Sequence, residues 1–447
     1  MLDRILRTIA KFIPKRLFAA GQPIYHYLLA LSAATIFNFP SRDIKVVAVT
    51  GTKGKSTSVE LVNAILEAAG YKTAVLGTVR FKIGEISWAN KFKMTVPGRF
   101  FVQKFLRDAV NAGCQWAVIE MSSEAVKQSR HRFIDFDALI FTNLAPEHIE
   151  SHGSYEQYRE EKLKLARAVT ASSKKNVFIV ANADDKEGFR FLDIATAKGG
   201  VPPTAVSGVR GIPYRMSDVG NYETTLEGSQ FAFKNHTVHL GIPGTFNIMN
   251  ALGAATFADA VGIPLETIAK GLSSVSAVRG RVEYVREGQP FHVVVDYAHT
   301  PESLEALYEL FKETHSICVL GNTGGGRDTW KRPVMAGIAE KYCNEIILTN
   351  EDPYDEDPRA ILAQMEEGVE DKQKLSVILD RREAIHEAIK RAEKRNASDQ
   401  PRSVSVLITG KGTDPYIMGA NGAKMPWDDA TVAREEIKKI QESAVLP

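Results

Sequence analysis

Short runs of consecutive apolar residues alternate along this chain with longer stretches in which apolar residues recur every three or four positions. The first pattern marks a strand covered on both faces, the second a helix with one buried side. Ile44–Thr50 is a β-branched run of the first kind. Helical spacing follows over Val59–Ala69, then a strand over Thr73–Leu76 and a helix over Gly98–Ala112. Strands over Trp116–Glu120 and Ala138–Asn143, a helix over Tyr155–Thr170 and a strand over Val177–Ala181 continue the series. Such a β-α-β succession predicts a mostly parallel sheet with helices on both faces.

Residues 212–242 break this rhythm. Thr224–Phe233 and Thr237–Leu240 read as hairpin strands joined by Lys234-Asn235-His236, a small antiparallel patch. Helices over 246–261 and 264–273 follow, and a second α/β pattern begins near Gly280. Its strands are expected at Phe291–Tyr297, Ile317–Gly321, Glu345–Thr349 and Ser403–Thr409. The lysine- and glutamate-rich stretch 366–398 reads as a solvated helix face and its loop.

Ahead of the first strand, Ile5, Ile9 and Phe12 share one helical face and Arg4, Arg7 and Lys11 the other, with Pro14 as a stop. Tyr25–Phe37 is too short and too polar to span a bilayer, and no signal-peptide cleavage site follows in register. The expectation is a helical arm packed on the next domain. Peripheral attachment of residues 1–40 to the inner face of an anionic membrane is the alternative.

Composition narrows the class without choosing a reaction. A chain of 447 residues calls for two to three domains, and 44% hydrophobic with 25% charged residues is that of a soluble globular protein. A net charge of +2 excludes a global nucleic-acid footprint. Cys114, Cys318 and Cys343 are scattered, with no CxxC pair. That spacing argues against a disulfide framework or a zinc ribbon and suits a reducing cytoplasm.

The chemistry enters at Gly51-Thr52-Lys53-Gly54-Lys55-Ser56-Thr57, between a buried strand and a helix. Glycines let backbone N–H groups approach phosphate oxygens, and the helix N-terminus favours negative charge. Lys55 reaches the terminal phosphates, and the Ser56 hydroxyl suits Mg²⁺. The generic GxxxxGK[ST] pattern is not met, because position 49 is Val. The expected fold is therefore α/β. A P-loop central domain (44–278) carries the mostly parallel sheet and the antiparallel patch, and a Rossmann-like C-terminal α/β domain (279–447) follows the short arm (1–43).

Three further residues bear on the reaction. Glu120 ends a strand, a natural oxygen ligand for Mg²⁺. His148 lies beyond the next strand, and Lys162 sits in a helix fourteen positions later. Each also has a structural reading: a strand-end charge, a capping histidine and a surface lysine.

Taken together, GTKGKST, EMSS, TNLAPEHIESHG with YREEK, GTFNIMN, GRVE, DYAHTP, GNTGGGRD and TGKGTD resemble the Mur ligases in order and spacing, most closely the tripeptide-synthetase branch. The resemblance covers roughly residues 44–435. DYAHTP separates it from the related folylpolyglutamate synthetases, whose element is DGAHNP-like. The resemblance implies an ATP-dependent amide ligase working through an acyl phosphate. Lys55 and Ser56 would hold the β- and γ-phosphates and a first Mg²⁺ with Glu120. His148 would hold a second Mg²⁺, and Lys162 would carry a CO₂-derived carbamate that serves as a metal ligand. Asn247 and Asn250 fall at adenine, Arg281 at the γ-phosphate and Asp296 at the ribose. Thr95, Ser122, Arg327, Asp352, Tyr354 and Asp414 fall on the acceptor and amino-acid sides.

The sequence also departs from that family. Residues 1–43 contain no counterpart of the usual N-terminal uridine-nucleotide domain, so a lipid-linked or free peptide acceptor enters beside a nucleotide-linked one. The family's DNPR element appears as Glu351-Asp352-Pro353-Tyr354, which removes the arginine that grips diaminopimelate. The GKGHE element appears as Gly410-Lys411-Gly412-Thr413-Asp414, and TTP as Thr95-Val96-Pro97. The competing expectations are a polyglutamate- or cyanophycin-like ligase and a non-catalytic nucleotide-binding scaffold. Oligomeric state and the amino acid used are not legible.

Overall fold

The computed structural model describes residues 15–147, 149–196, 209–326, 328–396 and 403–445. They divide into two compact units. The first takes residues up to 145 with 156–216 and 253–263, and the second takes 146–155, 217–252 and 264 onward.

In the first unit, eight strands form one sheet: β1 (Lys45–Thr50), β2 (Thr73–Leu76), β3 (Arg80–Ile83), β4 (Ile86–Ala89), β5 (Trp116–Glu120), β6 (Ala138–Phe141), β7 (Phe178–Asn182) and β8 (Arg210–Tyr214). Their order is β4-β3-β2-β5-β1-β6-β7-β8. The pairs from β2 to β8 are parallel, and β3 and β4 add an antiparallel edge. β1 lies at the centre with every residue after Lys45 buried, which explains its unbroken β-branched run. Helices α1 (Lys15–Ile36), α2 (Lys55–Ala68), α3 (Arg99–Asn111), α4 (Ser123–Lys127) and α5 (Tyr155–Thr170) accompany this sheet. The helix α1 runs through Pro23. No helix among the described residues is long and apolar enough to cross a membrane. The amphipathic pattern around Ile5, Ile9 and Phe12 lies outside the described residues.

The antiparallel patch belongs to the second unit, as β9 (Val219–Thr224), β10 (Ser229–Phe233) and β11 (His236–Leu240) in the order β11-β10-β9. The expected single strand Thr224–Phe233 is broken by a turn, in which Thr225 N–H donates to the carbonyl of Gly228 at 2.9 Å. A second sheet runs β12-β13-β17-β14-β15-β16, where β12 is Glu283–Tyr284, β13 His292–Asp296, β14 His315–Leu320, β15 Glu345–Leu348, β16 Leu375–Val377 and β17 Val404–Thr409. Only β12 pairs antiparallel. One apolar cluster gathers Val294, Leu304, Tyr308, Met335 and Leu348, and another gathers Val293, Val295, Ile385, Ala388, Val432 and Ile437. Alternate residues of β13 thus feed opposite faces, each covered by helices.

The stretch expected to be a solvated face carries a buried one as well: Ala384, Ile385, Ala388, Ile389 and Ala392 are all in the core. The cysteine reading needs correction. Cys318 in β14 and Cys343, just after the helix Lys331–Tyr342, form a disulfide with Cα atoms 6.1 Å apart. Distance along the chain said nothing of this, because the crossover from β14 to its neighbour β15 returns the chain to the same place. Cys114 is the free, buried thiol.

Candidate active site

The loop 51–54 leaves the carboxyl end of the central strand, where β5 and β6 flank β1 on opposite sides. This is the position at which open α/β sheets bind ligands. Gly51 has φ +152°, and a Cβ there would come within 1.9 Å of Thr142 Oγ1. Gly54, with φ 79°, is the N-cap of α2 and leaves that helix end without a side-chain cap. A helix start of this kind, reached from a glycine loop, is the backbone geometry that favours an anion. A second layer fixes the loop. Thr52 N–H donates to the carbonyl of Asn143 at 2.8 Å, Lys53 N–H to Asn143 Oδ1 at 2.9 Å, and Thr142 Oγ1 to the carbonyl of Lys53 at 2.6 Å.

Lys55 folds back over this loop, with Nζ donating to the carbonyls of Gly51 at 3.0 Å and Thr52 at 2.8 Å. Ser56 Oγ donates to both oxygens of Glu120, at 3.2 and 3.1 Å. Glu120 is buried and also accepts from Thr78 N–H at 2.8 Å. Thr95 joins this chain of contacts by accepting from Thr78 Oγ1 at 2.9 Å. Lys162 is 1% exposed, so the surface-lysine reading fails. Its Nζ donates to the carbonyl of Gly51 at 2.7 Å and lies over the Tyr158 ring, whose hydroxyl is 3.0 Å from Thr52 Oγ1. Ser122 is the N-cap of α4 and accepts from Ala125 N–H. His148 and Arg327 lie outside the described residues.

Other expected site residues fall in the second unit. Asn247 donates through Nδ2 to the carbonyl of Pro243 at 2.7 Å, and Asn250 to Asn247 Oδ1 at 3.2 Å. Asp296 accepts from Val282 N–H and Ala298 N–H, both at 2.7 Å. Burial pushes its carboxyl above the usual range, against the opposing pull of Arg281. Arg281 stacks over the Tyr297 ring at 4.7 Å. Beside the position of Arg327, the Asp328 carboxyl is pushed up to about 6, by burial first and by Glu150 next.

On the expected amino-acid side, sequence reasoning missed the central group. Lys411, wholly buried, donates to Asp352 Oδ1 at 2.9 Å, Asp414 Oδ2 at 3.0 Å and the carbonyl of Tyr416 at 2.6 Å. Asp352 also accepts from Met418 N–H, and Tyr354, in the left-handed region at φ 53°, donates its N–H to the carbonyl of Met418. A cation between two acids in TGKGTD and EDPY was the available signal.

Among the described residues no three His, Cys, Asp or Glu side chains cluster as a metal cage. Ser56 and Glu120 nevertheless fit Mg²⁺, which favours one or two protein oxygens together with phosphate oxygens and water over a full cage.

Comparison with known proteins agrees with this geometry. Residues 49–258 match the Mur ligase middle domain and residues 280–412 the Mur ligase glutamate ligase domain. A UDP-N-acetylmuramyl-tripeptide synthetase from Roseiflexus sp. (strain RS-1) is 38% identical over 432 residues, 92% of this chain and 82% of the relative. The chain belongs to the Mur ligase family. It is an ATP-dependent ligase of that type. A UDP-N-acetylmuramoyl-L-alanyl-D-glutamate--2,6-diaminopimelate ligase from Geobacillus kaustophilus (strain HTA426) is 33% identical over 98% of this chain and 88% of its own length. Of solved Mur ligases, a UDP-N-acetylmuramoyl-L-alanyl-D-glutamate--2,6-diaminopimelate ligase superposes with a TM-score of 0.59 at 27% identity, covering 89% of this chain and 79% of that one. Folylpolyglutamate synthase from Mycobacterium tuberculosis shares the fold, with a TM-score of 0.67 at 15% identity over 88% of this chain and 96% of its own.

Proposed function

We propose that this Mur ligase joins the carboxylate of a peptidoglycan-precursor peptide to an amino acid, with ATP cleaved to ADP and phosphate. The observation that carries the reading is the joint placement of Lys55, Ser56–Glu120 and Lys162 at one glycine loop. In the first step the acceptor carboxylate oxygen attacks the γ-phosphorus, the bond to the β-phosphate oxygen breaks, and an acyl phosphate and ADP result. In the second the amine attacks the acyl carbon, phosphate leaves with the bonding pair, and the ammonium loses a proton. The loop N–H groups and Lys55 spread the charge of the transferring group, as phosphoryl transfer requires. Mg²⁺, held by Ser56 and Glu120, would supply further neutralisation of that charge. Lys162 is proposed as the carbamylated lysine and His148 as its metal-binding companion. An anionic carbamate is the form in which a buried lysine can bind a metal ion.

Residues 44–278 and 279–447 are assigned as the central and C-terminal ligase domains, with 1–43 as the arm. Asn247, Asn250, Arg281 and Asp296 are assigned to the nucleotide. Asp352, Tyr354, Asp414, Thr95, Ser122 and Arg327 are assigned to the two substrates. Tyr354 in place of arginine, with Asp352 and Asp414 shared by Lys411, supports an amino acid other than diaminopimelate. The proposed location is the cytoplasm.

The test is ADP release over a panel of amino acids with nucleotide-linked, lipid-linked and free muramyl peptides. Release that requires a muramyl peptide is expected. Turnover on polyglutamate-type acceptors alone would replace this reading, and no turnover with any pair would leave a nucleotide-binding scaffold.

A further inference from the structure

The contacts described so far leave unexplained a group of nitrogen atoms where α1 meets α3. Arg107 on α3 donates through Nε and Nη2 to the carbonyls of Phe37 and Asn38 at the end of α1, each at 3.0 Å. Arg99 lies two turns back along α3 and His26 three turns back along α1, so the helices run side by side in one direction. Arg99 is the first residue of α3, whose N-cap Gly98 provides no side-chain cap. The third member is Arg130, which follows α4. Its Nη1 donates to the carbonyl of Val96 and its Nη2 to Gln128 Oε1 at 2.7 Å.

These side chains are short of acceptors. Nε and Nη2 of Arg99, Nε of Arg130 and Nδ1 of His26 are all buried, with no hydrogen-bond partner among the described residues. Arg130 is 9% exposed. The charges also act on one another. Burial and then Arg130 bring Arg99 down to about 10, and burial followed by Arg99 and Arg130 holds His26 below its ordinary value. Glu124 is the acid that acts on Arg130, and Tyr25 acts on Arg99. Gln103 Oε1, one turn along α3 from Arg99, is a buried acceptor without a partner. Turning Arg99 to meet it would satisfy one donor and leave Arg130 Nε and His26 as they are. Buried donors are rarely left unpaired, least of all on like charges packed together.

We propose that the N-terminal end of α3, with Arg99, Arg130 and His26, binds a phosphate-class anion: a phosphate or diphosphate ester. Two guanidinium groups beside an uncapped helix start match a multiply charged, many-oxygen anion better than a single carboxylate. The site adjoins the proposed chemistry through one segment. Arg130 holds the carbonyl of Val96, while Thr95 is bonded to Thr78, whose N–H donates to Glu120. The ester would therefore belong to the acceptor molecule. That attribution rests on the ligase reading; the binding does not.

Inorganic pyrophosphate titrated calorimetrically into protein already saturated with ADP, so that the phosphate loop is filled, tests the site. One site is expected. It should weaken about tenfold or more in Arg99→Gln, about threefold in His26→Gln, and less in Arg99→Lys than in Arg99→Gln. Thermal melts and unchanged ADP affinity would confirm that the variants fold. No pyrophosphate site, or one of equal affinity in Arg99→Gln, overturns the proposal. Competition by UDP identifies a soluble diphosphate as the source of the anion, and competition by phosphatidylglycerol vesicles a lipid phosphate. If the ligase reading alone is wrong, pyrophosphate still binds while no acceptor supports ADP release.

Discussion

The phosphate loop and the segment around Lys411 are both places where a protein must handle charge, and they do it by different means. At the loop, backbone geometry does most of the work. Gly51 permits a close approach to Thr142, Gly54 starts α2 without a side-chain cap, and Lys55 and Lys162 donate to loop carbonyls. Around Lys411, side chains do the work. One buried ammonium is shared by Asp352 and Asp414, and the local backbone follows from that pairing. The first kind of site is written in a few adjacent residues. The second exists only when residues 59 and 3 positions from Lys411 have been brought to it.

That difference can be broken by substitution. Lys411→Met removes the cation and leaves two carboxylates without it, one of them deeply buried. A loss of about 3–5 kcal/mol in urea-denaturation stability is expected. A loss below about 1 kcal/mol would mean that the pair is dispensable and the contrast wrong. Lys55→Ala should leave folding intact and lower ADP release by about 10²- to 10³-fold, as when one preorganised donor is removed from an active site. Full activity in that variant would remove the loop from the chemistry. Gly51→Ala drives a methyl group into Thr142 and should cost about 1–3 kcal/mol, together with weaker ADP binding by calorimetry.

The smallest effect is one of pH. Asp328 has its carboxyl raised to about 6 from 3.8, so the folded state holds that proton more tightly than the unfolded chain does. Its contribution to stability is present below the lower value and is lost as pH rises through about 6. Glu150 opposes this. Burial pushes its carboxyl up, but hydrogen bonds from Asp328 outweigh burial and hold it below its ordinary value. Asp328→Asn should flatten the decline in melting temperature between roughly pH 4 and pH 6. An unchanged profile would show that Asp328 does not titrate there.

How much could be read beforehand follows the same division. Strands β2 and β5 fall on their expected residues because buried parallel strands are unbroken apolar runs. The edge strands β3 and β4 were missed; β4 is exposed throughout and carries no burial pattern to detect. Glu120 and Lys162 were found by motif, yet only the fold shows that one is tied to Ser56 and the other to Gly51. Lys411 and the disulfide partners Cys318 and Cys343 were in plain view and unreadable, since each depends on a crossover that returns distant residues to one place. Arg99 escaped notice because a lone arginine at a helix start resembles any solvated charge.

The order of strands in the second sheet bears on how this chain is made. β17 sits between β13 and β14, although it is the last of the six to be synthesised. Until residues 404–409 have been made, β13 and β14 keep the sides that will receive β17 unpaired. Each presents open backbone groups to any passing strand. The second unit therefore closes from the middle, and only once β17 has been made. Stop codons upstream of residue 404 would delete its central seam rather than trim its margin, so such fragments belong to the chaperones and proteases rather than to the pool of partly active enzyme.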